Sequence, residues 1–152
     1  MCLEMWIEGD ATERECLAAA ADIAAKNSGL HFTLRHRAVR WPWARQKPAI
    51  VYVSAGGCAC SLRSDDADSD DEYWALEPKA AEQLGTGLEI FALHGPDRVS
   101  FQALWLGERV DREVAIDPAA LAALIRAKGP GVKVRYILDR RANNEMQLTK
   151  PR

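Results

Sequence analysis

The spacing of apolar positions divides the chain into strands and helices of quite different lengths. Residues 3–8 form a short, mostly apolar run that predicts a first strand. A helix is predicted over 13–26, with Leu17, Ala20, Ile23 and Ala24 on one stripe. Thr12 and Glu15 have capping-box spacing before it, and Asn27-Ser28-Gly29 supplies the stop. Residues 31–39 alternate, with Phe32, Leu34 and Ala38 on one face and Thr33, Arg35 and Arg37 on the other, as in a half-buried strand. Beyond a loop with two prolines, 49–53 is continuously apolar and predicts an interior strand covered on both faces.

The second half reads as a short helix over 77–84, opened by Pro78 and ended by Gly85-Thr86-Gly87. Two strands over 88–93 and 99–106 follow, joined by His94-Gly95-Pro96-Asp97-Arg98 as a hairpin. Asp117-Pro118 opens a helix that closes at Lys128-Gly129-Pro130, and 132–138 is the last strand. The expected fold is therefore α+β: one mixed β-sheet of about six strands with two long helices packed on it. A ferredoxin-like core with a βαβ extension is preferred, and a thioredoxin-like arrangement comes second. The first and last strand–helix–strand units are candidate crossovers. Residues 1–138 form the expected single domain, with 139–152 a polar tail.

Composition adds exclusions. With 152 residues and 48% of them apolar, the chain can bury a core without a disulfide or metal staple. A net charge of −2 offers no general attraction to nucleic acid or anionic membrane, and no apolar run is long enough to cross a bilayer. The N-terminus lacks the pattern of a signal peptide, so the expected location is cytoplasmic and the four cysteines are expected as thiols.

Cys58 and Cys60 carry the main candidate chemistry, in the turn Gly56-Gly57-Cys58-Ala59-Cys60 after the interior strand. Two thiols at this spacing can ligate a thiophilic metal such as zinc or cycle between dithiol and disulfide. The bland alternative is a tight corner made of small residues. Zinc would need more ligands: Cys2 is the candidate third, and His31, His36 and His94 are candidates for a fourth. A Cys–His94 nucleophile–base pair is conceivable on residue type alone. Cys16, on the first helix, reads as structural.

Two other clusters carry weaker patterns. Asp66, Asp68, Asp70 and Glu77 match four positions of a calcium loop, but Asp71 stands where that loop needs glycine, and six acidic residues in 61–72 fit a solvated loop. Arg37, Arg40, Trp41, Trp43 and Arg45, flanked by Arg35 and Lys47, suggest a partner surface, with a homodimer more in keeping than nucleic acid.

The Met1-Cys2-Leu3 opening and the Gly-Cys-x-Cys turn together resemble a group of small uncharacterised bacterial proteins. That resemblance implies no activity, but it associates Cys2 with the Cys58/Cys60 pair. No complete hydrolytic, nucleotide-binding or metalloprotease motif is present. The expectation is a non-catalytic binding or self-associating domain. The alternative is a thiol site for metal or redox chemistry at Cys2, Cys58 and Cys60.

Overall fold

A computed structural model describes residues 3–35, 48–65 and 72–140. Six strands form one mixed sheet: β1 (Leu3–Gly9), β2 (His31–Leu34), β3 (Ala49–Ser54), β4 (Arg98–Trp105), β5 (Arg112–Ala115) and β6 (Val134–Asp139). Three helices accompany them, α1 (Arg14–Ser28), α2 (Pro78–His94) and α3 (Pro118–Lys128). The strand order is β2-β3-β1-β4-β6-β5, antiparallel throughout except for the parallel pair β5–β6.

Period-two patterning explains the layering. Leu3, Met5 and Ile7 of β1 share a face with Val51 and Val53 of β3 and with Phe101 and Ala103 of β4, as the register requires. That face joins Leu17, Leu84, Phe91, Leu121 and Ile125 of the helices in one core. The opposite face carries Glu4, Trp6 and Glu8 of β1 beside Tyr52, Ser100 and Gln102, and most of it is only partly covered. The 49–53 run is thus interior within the sheet but half-buried on its second face; β4 is the strand buried on both. On that second face Gln102, 1% exposed, donates to Glu8 Oε1 (2.9 Å) and accepts from Arg135 Nε (2.9 Å). Arg135 goes on to bridge Glu113 (2.9 Å), so no polar group of Gln102 is stranded.

Several expectations change. The predicted strand over 88–93 is helix, because α2 runs without interruption to His94. Gly85 and Gly87 do not end it; they let it pack closely. A Cβ on Gly87 would lie 2.4 Å from Phe32 Cζ, and one on Gly85 would lie 3.0 Å from the Arg126 guanidinium. The expected short helix over 77–84 is therefore a long one, α2, and the 94–98 segment joins a helix to a strand instead of closing a hairpin. Arg140 fastens that connection by donating to Leu93 O (2.9 Å), Gly95 O (2.6 Å) and Asp97 Oδ1 (3.2 Å).

The sixth strand is instead β5, a short and largely exposed edge strand. The parallel crossover at this end runs β5–α3–β6, whereas β4 and β6 are antiparallel neighbours. At the start of α1 the Thr12–Glu15 box does not form. Asp10 caps a short 3-10 turn (Ala11–Glu13) by accepting from Thr12 N and Oγ1, both at 2.8 Å. The stop at Gly29, Pro78 in the first turn of α2 and the Asp117 cap of α3 all appear as expected.

Candidate functional site

β3 delivers the chain to Gly56, whose φ of 106° is a backbone conformation that glycine adopts without penalty. A Cβ on Gly57 would meet nothing within 4 Å, so the backbone leading to Cys58 is open on that side. A 3-10 turn (Ala59–Leu62) follows, with Cys58 at its cap position. Ala59 and Leu62, each 2% exposed, bury one side of the turn in the core. The chain beyond it is held by pairing: Ser64 N donates to Ala75 O (2.9 Å) and Glu77 N to Leu62 O (3.0 Å). Arg63 lies 5.4 Å from the ring centroids of both Trp74 and Trp105, which pack edge to face. The turn is thus fixed on both sides.

The two sulfurs occupy different environments. Cys58 is exposed and carries a free thiol, while Cys60 is half-buried. Cys60 Sγ accepts the Leu3 backbone N–H at 3.0 Å, which seats it against the first residue of β1. The Cys60 Sγ also faces Leu3 O at 4.0 Å, and a side-chain hydrogen bond with Cys60 is the main reason the Cys58 thiol sits below its ordinary value. The backbone N–H groups of Cys60 and Ser61 act in the same direction. Ser61 Oγ also donates to the Cys58 carbonyl (3.3 Å), closing the turn. The Leu3 backbone therefore anchors Cys60, and Cys60 in turn lowers the Cys58 thiol. An exposed thiol stabilised as thiolate is the form that attacks disulfides and binds soft metals.

The other candidate residues fall elsewhere. Cys2, His36, the Asp66/Asp68/Asp70 triplet and all of Arg37, Arg40, Trp41, Trp43 and Arg45 lie outside the described residues. His31 belongs to β2, and its Nε2 lies 3.8 Å from where a Cβ on Gly56 would stand. His94 ends α2, and its carbonyl faces Cys16 Sγ at 3.7 Å. That places it with the Gly9–Asp10 end of β1, whereas Cys60 sits at the Leu3 end, so a Cys–His94 pair does not form. Among the described residues no group of three or more His, Cys, Asp or Glu side chains is placed to hold a metal ion.

Sequence reasoning found the two thiols but missed their donors. The Leu3, Cys60 and Ser61 amides have no residue-type signature, and only the fold brings Leu3 to Cys60. No family model, curated protein or solved structure matches the chain. No helix among the described residues is long and apolar enough to cross a membrane.

Proposed function

We propose that the chain is a dithiol protein that exchanges with disulfides, with Cys58 as the attacking thiol and Cys60 as the resolving one. The feature that supports this reading is the exposed Cys58 sulfur at the cap of the 3-10 turn, whose thiol is lowered by a side-chain hydrogen bond with Cys60 and by the backbone of Cys60, Ser61 and Cys58. The Cys58 thiolate attacks one sulfur of a small disulfide, breaks its S–S bond and expels one thiolate. Cys60 then loses its proton and attacks Cys58 Sγ, expelling the second. One disulfide is reduced to two thiols while Cys58 and Cys60 become a disulfide, so electrons and protons balance. Closing a ring across one intervening residue strains the disulfide, which favours a transient oxidised form over a permanent crosslink. The β-α-β-β-α-β order of the first six main elements, with strands arranged 2-3-1-4, supports a ferredoxin-like core as the scaffold.

A second reading, a thiophilic-metal site, draws on the seat of Cys60 at Leu3, one residue from Cys2. The discriminating experiment treats purified protein with glutathione disulfide and maps the products by mass spectrometry. The exchange reading expects a mixed disulfide on Cys58 in the Cys60→Ala variant and a Cys58–Cys60 disulfide in the parent. Modification spread evenly over the exposed thiols, with no Cys58–Cys60 product, overturns it. Zinc retained stoichiometrically through gel filtration and lost in Cys58→Ala favours the metal reading.

A further inference from the structure

At the far end of the sheet from the thiols, roughly 20 Å along β1, a cleft of about 860 Å³ opens between the ends of β1, β4 and β6, the start of α1 and the end of α2. Its size suits a small-molecule ligand. Six carboxylates line it against three guanidiniums. Two of those guanidiniums are committed, Arg135 to Glu113 and Arg140 to Asp97, and the third, Arg98, stands opposite Asp139 in the strand register. Glu8, Asp10 and Glu13, at the junction of β1 and α1, make no ion pair with a described residue. Asp10 is held below the ordinary carboxyl range by the Thr12 backbone and side-chain donors, so it stays charged. Glu8 accepts from Trp6 Nε1 (2.8 Å) and Gln102 Nε2 (2.9 Å) through Oε1 alone, which leaves Oε2 without a donor among the described residues.

Ser100 adds a polar side chain beside this carboxylate. It lies directly opposite Glu8 in the strand register, lines the cleft and is only 9% exposed. Its hydroxyl has no hydrogen-bond partner among the described residues. The Ser100 side chain lines the cleft beside a half-used carboxylate, where its hydroxyl is placed to accept from a ligand donor. Pro48, Pro96, Val99 and Ile137 supply apolar lining in the same cleft.

We propose that this cleft binds a linear aliphatic polyamine, one ammonium seated between Glu8 and Ser100 and a second near Asp10 and Glu13, with the methylene chain along the apolar lining. An ammonium has donors only, which matches a site rich in acceptors. Spermidine titrated into the full chain by calorimetry at low salt is expected to give saturable one-to-one binding that weakens as salt rises. Ser100→Ala and Glu13→Gln are each expected to weaken it about tenfold, the effect of one charge-assisted contact. Glu4→Gln, on the same face but outside the cleft, should leave it unchanged. Amide shifts in NMR should cluster at residues 8–13 and 97–100. Absence of saturable binding overturns the proposal. So does equal binding by all three variants, or displacement of spermidine by magnesium at equal charge, since each means diffuse screening. Unfolding midpoints of the variants confirm that any loss is local.

Discussion

Replacing Gly87 with alanine sets two well-measured effects against each other. In a helix interior, alanine is favoured over glycine by about 0.8–1.0 kcal/mol. Gly87 lies in the middle of α2, where that gain would apply in full. The new methyl, however, would stand 2.4 Å from Phe32 Cζ, 2.7 Å from Phe32 Cε2 and 3.3 Å from Ser28 Cβ. Carbon atoms rest at about 3.5–4.0 Å, so the ring must move by more than an ångström or α2 must lift from α1 and β2. Phe32 is 5% exposed and stacks near Phe91 at 6.4 Å, so it has little room to yield. Overpacking of this kind costs about 1–3 kcal/mol. The larger steric term wins, and Gly87→Ala is expected to be destabilised by about 1–2 kcal/mol. Urea unfolding followed by circular dichroism measures it. Phe32→Leu in the Gly87→Ala background should return part of the loss by removing the ring edge. A Gly87→Ala protein at least as stable as the parent would refute the close packing of α2 on β2.

Three further outcomes follow from local geometry. Asp117 accepts from Ala119 N (2.9 Å) and Ala120 N (3.1 Å), so Asp117→Ala should cost about 1 kcal/mol in chemical unfolding through loss of the α3 cap. Arg126 clamps Glu89 with two hydrogen bonds (2.9 and 3.0 Å) and Glu82 with one (2.9 Å), holding the Glu89 carboxyl below its ordinary value of 4.5. Because that value is depressed on folding, the clamp's contribution is present above pH 4.5 and fades as pH falls through the folded value. The pair is partly exposed, so the Arg126→Ala loss should be about 0.5–1 kcal/mol at pH 7 and smaller at pH 3, read from unfolding midpoints. Phe101, fully buried against Tyr136, should cost about 3–5 kcal/mol when cut to alanine, measured in the same way.

Much of this architecture was legible in the sequence, and the exceptions have physical causes. The alternation in β1, β2 and β4 and the stripe on α1 report burial on one face, which a pattern records directly. α2 hid behind Gly85 and Gly87. These glycines are read as a stop by local propensity, yet tertiary packing uses them for close approach. Ala80, Ala81, Leu84, Leu88 and Phe91 carry a helical period straight through them, and that period was the better signal. β5 was invisible because an edge strand buried on neither face has no apolar alternation to show. At the dithiol turn, sequence could offer the thiols and a suspected neighbour in Cys2. It could not offer the difference between the two sulfurs, which arises from the Leu3 amide at one and open solvent at the other.

That difference is the centre of the functional proposal, and alkylation kinetics test it most directly. Iodoacetamide labelling of each cysteine, followed by peptide mass spectrometry across a pH series, reads the thiolate fraction site by site. Cys58 is expected to react fastest, with an inflection below the ordinary thiol value of 9.0. The same inflection should move upward in Cys60→Ala, which removes the side-chain hydrogen bond with Cys58. A Cys58 inflection at or above the ordinary value, unmoved by Cys60→Ala, would contradict the account.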